Sequence, residues 1–407
     1  MKTFTNFDFN LYTEIVFGKD TEKDVGALIQ KHGGTRVLFV YGAGSIKKSG
    51  LYDRVVRSLQ DAGLFFTELS GVKANPKRSL VEEGIRIAQS EGTDFYLAVG
   101  GGSAIDTAKG IALAMANDGE YWAFFNGTSA KKMAPVGTIN TIAAAGSETS
   151  LSAVLVDDIN TGYKQSVAGN NVCRPVFAIM NPELTYSVSK YQTAAGATDI
   201  FAHTYMRYFT NYASFLGDRF CESVLKTVLK YAQIAIEKPD GYEARAELML
   251  AAAFSHNELT GVGRAGDRRG GEHGLEVQLS GYYDTAHGAG LAVMMPAYLK
   301  YIILHGTEEQ VARVAGFGID IFGVHAEPAD VTATAYAGIR AFESWLRSIE
   351  MPTTLAELGV PKAEIQAAAA RALNAKGGHI SGFIELDPAV AAEIYQIAAG
   401  TEPTGEE

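Results

Sequence analysis

Only two cysteines, Cys173 and Cys221, occur in 407 residues. Two thiols in so long a chain are no disulfide framework, so the fold has to rest on a packed core. Positive charge is in deficit: 35 Lys and Arg against 46 Asp and Glu leave a net charge of −11. That argues against a protein that tracks nucleic-acid phosphates. The charges are dispersed rather than blocked, as solubility requires. No uncharged apolar run approaches the ~18 residues of a bilayer span, and the opening MKTFTNFDFN lacks the apolar core of a secretory signal. Internal repeats and low-complexity segments are absent, and only the Pro/Gly/Glu tail at 401–407 fits disorder. With 47% hydrophobic and 20% charged residues, the composition is ordinary for a globular protein, and the length is comfortable for two domains. A cytoplasmic protein without nucleic-acid or membrane partners is expected.

The first half alternates apolar, β-branched runs with amphipathic segments. The runs are Glu14–Gly18, Val37–Tyr41, Phe65–Leu69, Phe95–Val99, Val136–Thr141 and Val176–Met180, and helical spacing fills 47–62 and 77–92 between them. Strand–helix alternation predicts a parallel sheet covered by helices. From about Ser187 the chain is rich in Ala, Leu, Glu and Lys. Helices are predicted over 187–212, 216–236, 241–259, 286–304, 307–316, 329–348 and 361–374. Pro182 disfavours a helix through 181–186, which places the domain boundary there. The expected fold is an α/β, Rossmann-like nucleotide-binding domain over 1–185 and an all-α domain over 186–407.

Two glycine-rich turns follow predicted strands. Gly100, Gly101, Gly102 and Ser103 lead into a helix; such glycines let backbone approach a ligand closely, and the helix start offers free N–H groups to a pyrophosphate. The same run can be no more than a tight turn. Gly42, Ala43, Gly44 and Ser45 form the second turn. No acid stands there to hold a ribose 2′-hydroxyl; Ser45, Lys47 and Lys48 leave room and positive charge for a 2′-phosphate. This favours NADP(H) over NAD(H), although a glycine turn with two solvated lysines fits the same residues.

Asp199 and His203 are four apart on one helical face, with His273 and His287 downstream. One carboxylate and three imidazoles suit a divalent first-row metal, Fe(II) and Zn(II) equally. An isolated Asp–His pair at this spacing is more often a helix-surface hydrogen bond. His32, His256, His305, His325 and His379 read as surface or structural residues.

Taken in order, Gly-Gly-Gly-Ser-x-x-Asp-x-x-Lys (100–109), Thr-x-x-x-x-Gly-Ser-Glu (141–148), Asp-x-x-x-His (199–203), His273 and Tyr-Asp-x-x-His-Gly-x-Gly-Leu-Ala (283–292) resemble the iron-containing (group III) alcohol dehydrogenases. The resemblance spans nearly the whole chain. The run at 42–48 is similar to the NADPH-dependent butanol dehydrogenase and aldehyde reductase branch. By resemblance the fold is that of the dehydroquinate synthase-like group III enzymes. Asp199, His203, His273 and His287 would hold the metal. Gly100, Gly101, Gly102, Ser103 and Asp106 would line the pyrophosphate and ribose site, and Gly42, Gly44 and Ser45 would receive the adenosine end. Thr141 would lie along the cofactor and Lys164 near a ribose.

No catalytic side chain is implied beyond the metal centre. The substrate would be a small to medium aliphatic alcohol or aldehyde, and the assembly a homodimer. The chain departs from the family pattern at Val277, where relatives commonly carry His, and at Ala145, where Thr is frequent. These departures keep a non-catalytic or altered-specificity homologue in view. A lyase of the dehydroquinate synthase type would need a basic set for a phosphorylated, carboxylated substrate. Arg264, Arg268 and Arg269 are the nearest approach to one and fit a solvated loop at least as well.

Overall fold

A computed structural model describes residues 6–167, 171–264 and 270–400. By packing, the chain forms two compact units. One is Phe9–Val188 joined by Pro239–Asn257; the other is Met1–Asp8 with Ser189–Lys238 and Glu258–Glu407.

In the first unit the described strands are β1 (Glu14–Phe17), β2 (Arg36–Gly42), β3 (Phe65–Val72), β4 (Phe95–Gly100), β5 (Val136–Asn140), β6 (Val154–Val156), β7 (Lys164–Ser166) and β8 (Phe177–Met180). Six form a sheet in the order β1-β8-β5-β4-β2-β3, every neighbouring pair parallel. β6 and β7 make a separate antiparallel pair that the sequence pattern did not reveal. Strand alternation divides the sheet's side chains between two cores. Val37, Phe39, Tyr41, Phe95, Leu97 and Val99 lie in one, Leu38, Val40, Tyr96 and Ala98 in the other. Helices α1 (Val25–Lys31), α2 (Ser45–Lys48) and α3 (Leu51–Asp61) feed the first core. α4 (Arg78–Glu91) and α5 (Gly102–Ala116) feed the second.

Helix α6 (Lys190–Tyr208) opens the second unit, capped by Ser189, whose hydroxyl accepts from the Gln192 N–H. α7 (Phe215–Glu237) follows it. α8 (Tyr242–His256), which the sequence pattern grouped with the helical half, packs within the α/β unit instead. The reason is local: a Cβ at Gly146 would collide with the Ala252 carbonyl oxygen, and His256 Nδ1 pairs with the Ala145 carbonyl at 2.7 Å. The remaining helices are α9 (Gly271–Tyr283), α10 (His287–His305), α11 (Glu308–Phe322), α12 (Val331–Ser348), α13 (Ile365–Asn374) and α14 (Pro388–Ala398). α9 and α14 were not expected. α10 is long and apolar enough to cross a bilayer by length and composition, but Lys300 interrupts it and 78% of the window is buried in the protein. It is a core helix.

Candidate functional site

Asp199 and His203 lie one turn apart on α6, which is buried along most of its length. His273 sits in the first turn of α9, and His287 is the first residue of α10. Gly288 brings α10 against α6: a Cβ there would stand 2.7 Å from the carbonyl carbon of Ala195, one turn before Asp199. The result is convergence on one oxygen. Asp199 Oδ1 has His203 Nε2 at 3.3 Å and His287 Nε2 at 3.9 Å. Asp199, His203 and His273 each offer a ligand atom, all within 4.8 Å of one another. Metal–ligand bonds of about 2.0–2.2 Å put neighbouring donors roughly 3–3.5 Å apart, so this spacing suits a divalent ion. His273 Nε2 is buried with no hydrogen-bond partner among the described residues. A buried nitrogen in that condition is costly unless its lone pair has an acceptor of another kind. The residues present therefore fit a metal.

Two buried acids escaped the sequence reading. Glu272 Oε1 lies 3.1 Å from His273 Nδ1, and the Glu276 carboxylate lies against His287 Nδ1. Their signal was an i, i+4 pair of glutamates bracketing His273, legible only once 271–283 is known to be helical. Of the arginines considered for substrate binding, Arg268 and Arg269 lie outside the described residues. Arg264 is buried, not solvated; its guanidinium engages Asp218 and the Arg207 carbonyl within the helical unit.

In the α/β unit, Gly100 ends β4 and Gly101 caps α5, with no side-chain bond to the first-turn N–H groups. Gly100 has φ +156°, and a Cβ at Gly101 would come 2.5 Å from Ile142 Cγ2, so this turn requires glycine. Gly102 and Ser103 form the first turn of α5, and Thr141 is tied to it by its N–H to the Gly100 carbonyl at 3.1 Å. Asp106 faces inward: its oxygens accept from Ser147 Oγ at 2.5 Å and Val154 N–H at 2.9 Å. Burial raises the Asp106 carboxyl above its usual range, opposed by the charge of Lys109 and, less, by that of Lys164, itself buried on β7. Gly42 ends β2; Gly44 takes φ +151° with open space about it, and Ser45 begins α2. Lys47 does not stand free. Its ammonium lies 4.7 Å from the Tyr52 ring centre and 5.3 Å from that of Tyr41. Both tyrosines donate to Glu68, at 2.7 Å and 2.5 Å.

Lys109, unassigned by the sequence reading, is fully buried and organises the loop after Thr141. Its ammonium donates to the carbonyls of Ser147 at 2.7 Å, Ser150 at 3.1 Å and Ser152 at 2.9 Å. Burial pulls it down to about 8, with Asp106 opposing. The neighbouring Glu148 is also buried, and its Oε1 has no hydrogen-bond partner among the described residues. Desolvation pushes its carboxyl up to about 7 from 4.5. Between pH 4.5 and 7 the folded chain therefore holds a proton that the unfolded chain has released, and this group's contribution to stability falls as pH rises. Above pH 7 the penalty is complete, about 3 kcal/mol at 1.36 kcal/mol per unit. Glu148→Gln escapes it. The variant's stability relative to the parent should improve by about 3 kcal/mol between pH 4.5 and pH 8. Urea unfolding of both proteins at the two pH values measures this; an equal difference at both would mean that Glu148 titrates normally.

Comparison with known proteins agrees with this arrangement. The family model "Iron-containing alcohol dehydrogenase" matches residues 13–182, and "Fe-containing alcohol dehydrogenase family, C-terminal" matches 193–398. NADH-dependent butanol dehydrogenase A of Clostridium acetobutylicum is 37% identical, covering 96% of this chain and 99% of its own. The NADPH-dependent aldehyde reductase YqhD of Escherichia coli is 31% identical, covering 89% of this chain and 91% of its own. The crystal structure of NADH-dependent butanol dehydrogenase A from Thermotoga maritima superposes with a TM-score of 0.90 at 35% identity, over 98% of this chain and 100% of that one. Matched along both units and carrying the motifs of each, the chain belongs to the iron-containing alcohol dehydrogenase family, and is an oxidoreductase of the alcohol dehydrogenase and aldehyde reductase type.

Proposed function

We propose that the protein interconverts small to medium aliphatic alcohols and aldehydes with NADP(H), at one Fe(II) or Zn(II) held by Asp199, His203, His273 and His287. The convergence of two imidazole Nε2 atoms on Asp199 Oδ1, at 3.3 and 3.9 Å, carries this reading. A divalent ion supplies Lewis acidity to the substrate oxygen, and the nicotinamide supplies or accepts the hydride. The chain's own residues set the rest. One carboxylate among three imidazoles would leave the ion a net positive charge within its own ligand set, tempered by the buried Glu272 and Glu276 carboxylates behind His273 and His287. Val277, one turn beyond His273 on α9, brings no proton carrier and adds apolar surface, in keeping with an alkyl substrate. Gly100, Gly101, Gly102 and Ser103 would take the pyrophosphate on the start of α5, with Asp106, Thr141 and Lys164 holding that turn, its loop and the ribose. The catalysis needs no acid or base side chain beyond the metal centre. A homodimer working in the cytoplasm completes the proposal.

The coenzyme preference rests on Gly42, Gly44 and Ser45 and on the exposed Lys48 just beyond them, Lys47 being engaged by Tyr41 and Tyr52. The relatives' names are mixed: the butanol dehydrogenases at 33–37% identity are named NADH-dependent, the aldehyde reductase at 31% NADPH-dependent. A Cβ at Gly42 would meet only the Val72 carbonyl oxygen, at 3.4 Å, so the position accepts the first carbon of a side chain such as that of Gly42→Asp. An acid there repels a 2′-phosphate and accepts from a 2′-hydroxyl. The ratio of kcat/KM for NADPH over NADH should fall at least about tenfold, ~1.4 kcal/mol; an unchanged ratio would remove Gly42 from that role. The direct test of the whole reading is butanal reduction by protein reconstituted separately with Fe(II) and Zn(II), followed at 340 nm with each coenzyme. Metal-dependent turnover, faster with NADPH, is expected. No turnover in protein holding one metal per chain would favour the non-catalytic alternative.

A further inference from the structure

Metal-ligating imidazoles work only when the ring is turned correctly and the distal nitrogen keeps its proton, which leaves the other lone pair for the ion. At His287 something must perform both tasks, because this residue begins α10 and has no preceding helical turn to pack its ring. The side chain that meets its Nδ1 is Glu276, fully buried on the middle of α9. We propose that Glu276 is a positioning residue of the metal centre, accepting the Nδ1 proton of His287 so that Nε2 faces Asp199. The proposal rests on the metal reading given above.

Three features of the fold support it. Nε2 of His287 does point at Asp199 Oδ1, 3.9 Å away, while the opposite ring nitrogen faces Glu276. Space for the carboxylate is cut into α10 itself: a Cβ at Gly290 would stand 2.7 Å from Glu276 Cγ and closer still to Oε1. The same helix start thus offers His287 to the metal group and Gly290 to the acid behind it. The arrangement also recurs within α9. Glu272, one turn before Glu276 and equally sequestered, takes Nδ1 of His273 at 3.1 Å, leaving the buried Nε2 of that ring for the ion. A buried carboxylate is costly in an apolar interior, so one set against each of two converging imidazoles needs a reason beyond packing. Orientation of ligand rings supplies it.

Zn(II) affinity, measured by competition with a chromophoric chelator, tests the role without relying on turnover. Glu276→Gln keeps the shape and one acceptor oxygen but removes the charge, and should weaken Zn(II) about tenfold; Glu276→Ala should weaken it up to about 100-fold. Co(II)-substituted E276Q should show displaced visible bands, because the His287 ring is less firmly held. Should E276A fail to fold, the isosteric E276Q decides alone. E276Q with Zn(II) affinity within twofold of the parent and an unchanged Co(II) spectrum, beside a His287→Ala control that loses affinity, would overturn the positioning role and leave the metal site standing. An equally unaffected His287→Ala would instead remove His287 from the site, and Glu276 with it.

Discussion

Replacing Asp199 with Ala should strip the metal and lower kcat/KM by at least about 1000-fold, ~4 kcal/mol of transition-state stabilisation. The size follows from charge and position together. Asp199 is the one anion among the four proposed ligands, and its Oδ1 is the atom toward which His203 Nε2 and His287 Nε2 both point. Without it, three imidazoles would face a dication in a buried setting with no anion in direct contact to offset its desolvation, since Glu272 and Glu276 stand behind His273 and His287. Asp199→Asn retains one oxygen at the same place and should fall between parent and Ala in metal content. Metal per chain after dialysis, set beside kcat/KM on protein re-supplied with Fe(II) or Zn(II), separates weak retention from a defective centre. An Ala variant that keeps both its metal and its rate would dismiss Asp199 as a ligand.

The α/β half was legible because each sheet strand combines an apolar run with a turn signal on either side. All six runs read from the sequence became the parallel sheet. The β6–β7 pair was missed for the opposite reason: its strands have three residues each, too short for a period to register. In the helical half, long runs such as α7 announced themselves by 3.6-residue spacing. α9 did not, since Gly271 and Gly274 depress helix propensity and their reason is tertiary: Cβ atoms there would press on Tyr298 and Ile380 at 2.7 and 2.8 Å. α14 did carry a start signal, Asp387 capping Pro388 with bonds to the N–H groups of Ala389 and Val390. At the candidate metal centre the i, i+4 pair of Asp199 and His203 was readable from spacing alone. His273 and His287 were not, because α9 and α10 bring them to α6 through packing. Glu272 and Glu276 are further removed, since charged residues in an apolar stretch ordinarily read as a solvated face. The placement of α8 was hidden as well, because an alanine-rich helix with little amphipathic contrast does not declare which unit it covers.

Gly288→Ala should be the most damaging single-methyl change in the helical unit. The added carbon would collide with the Ala195 carbonyl oxygen and lie 3.1 Å from Ala195 Cα. Both are backbone, so no side-chain rotation can relieve the contact; α10 has to move off α6. Overpacking of this kind costs about 1–3 kcal/mol, more where neither partner yields. The displacement falls on the residue next to His287, and a shift of ~1 Å at a reacting centre can cost about 100-fold in rate. Lower thermal stability, weaker Zn(II) retention and a loss of turnover should therefore appear together. Gly290→Ala supplies the contrast. Its Cβ would press first on the Glu276 side chain, with Cγ at 2.7 Å, and a side chain yields more readily than backbone, so stability should fall less than in G288A while metal retention falls. If G288A matched the parent in melting temperature and in metal content, the close passage of α10 over Ala195 would not be what sets His287 beside Asp199. If G288A and G290A failed alike in stability, glycine in α10 would be serving helix packing generally rather than the two separate contacts seen at Ala195 and Glu276.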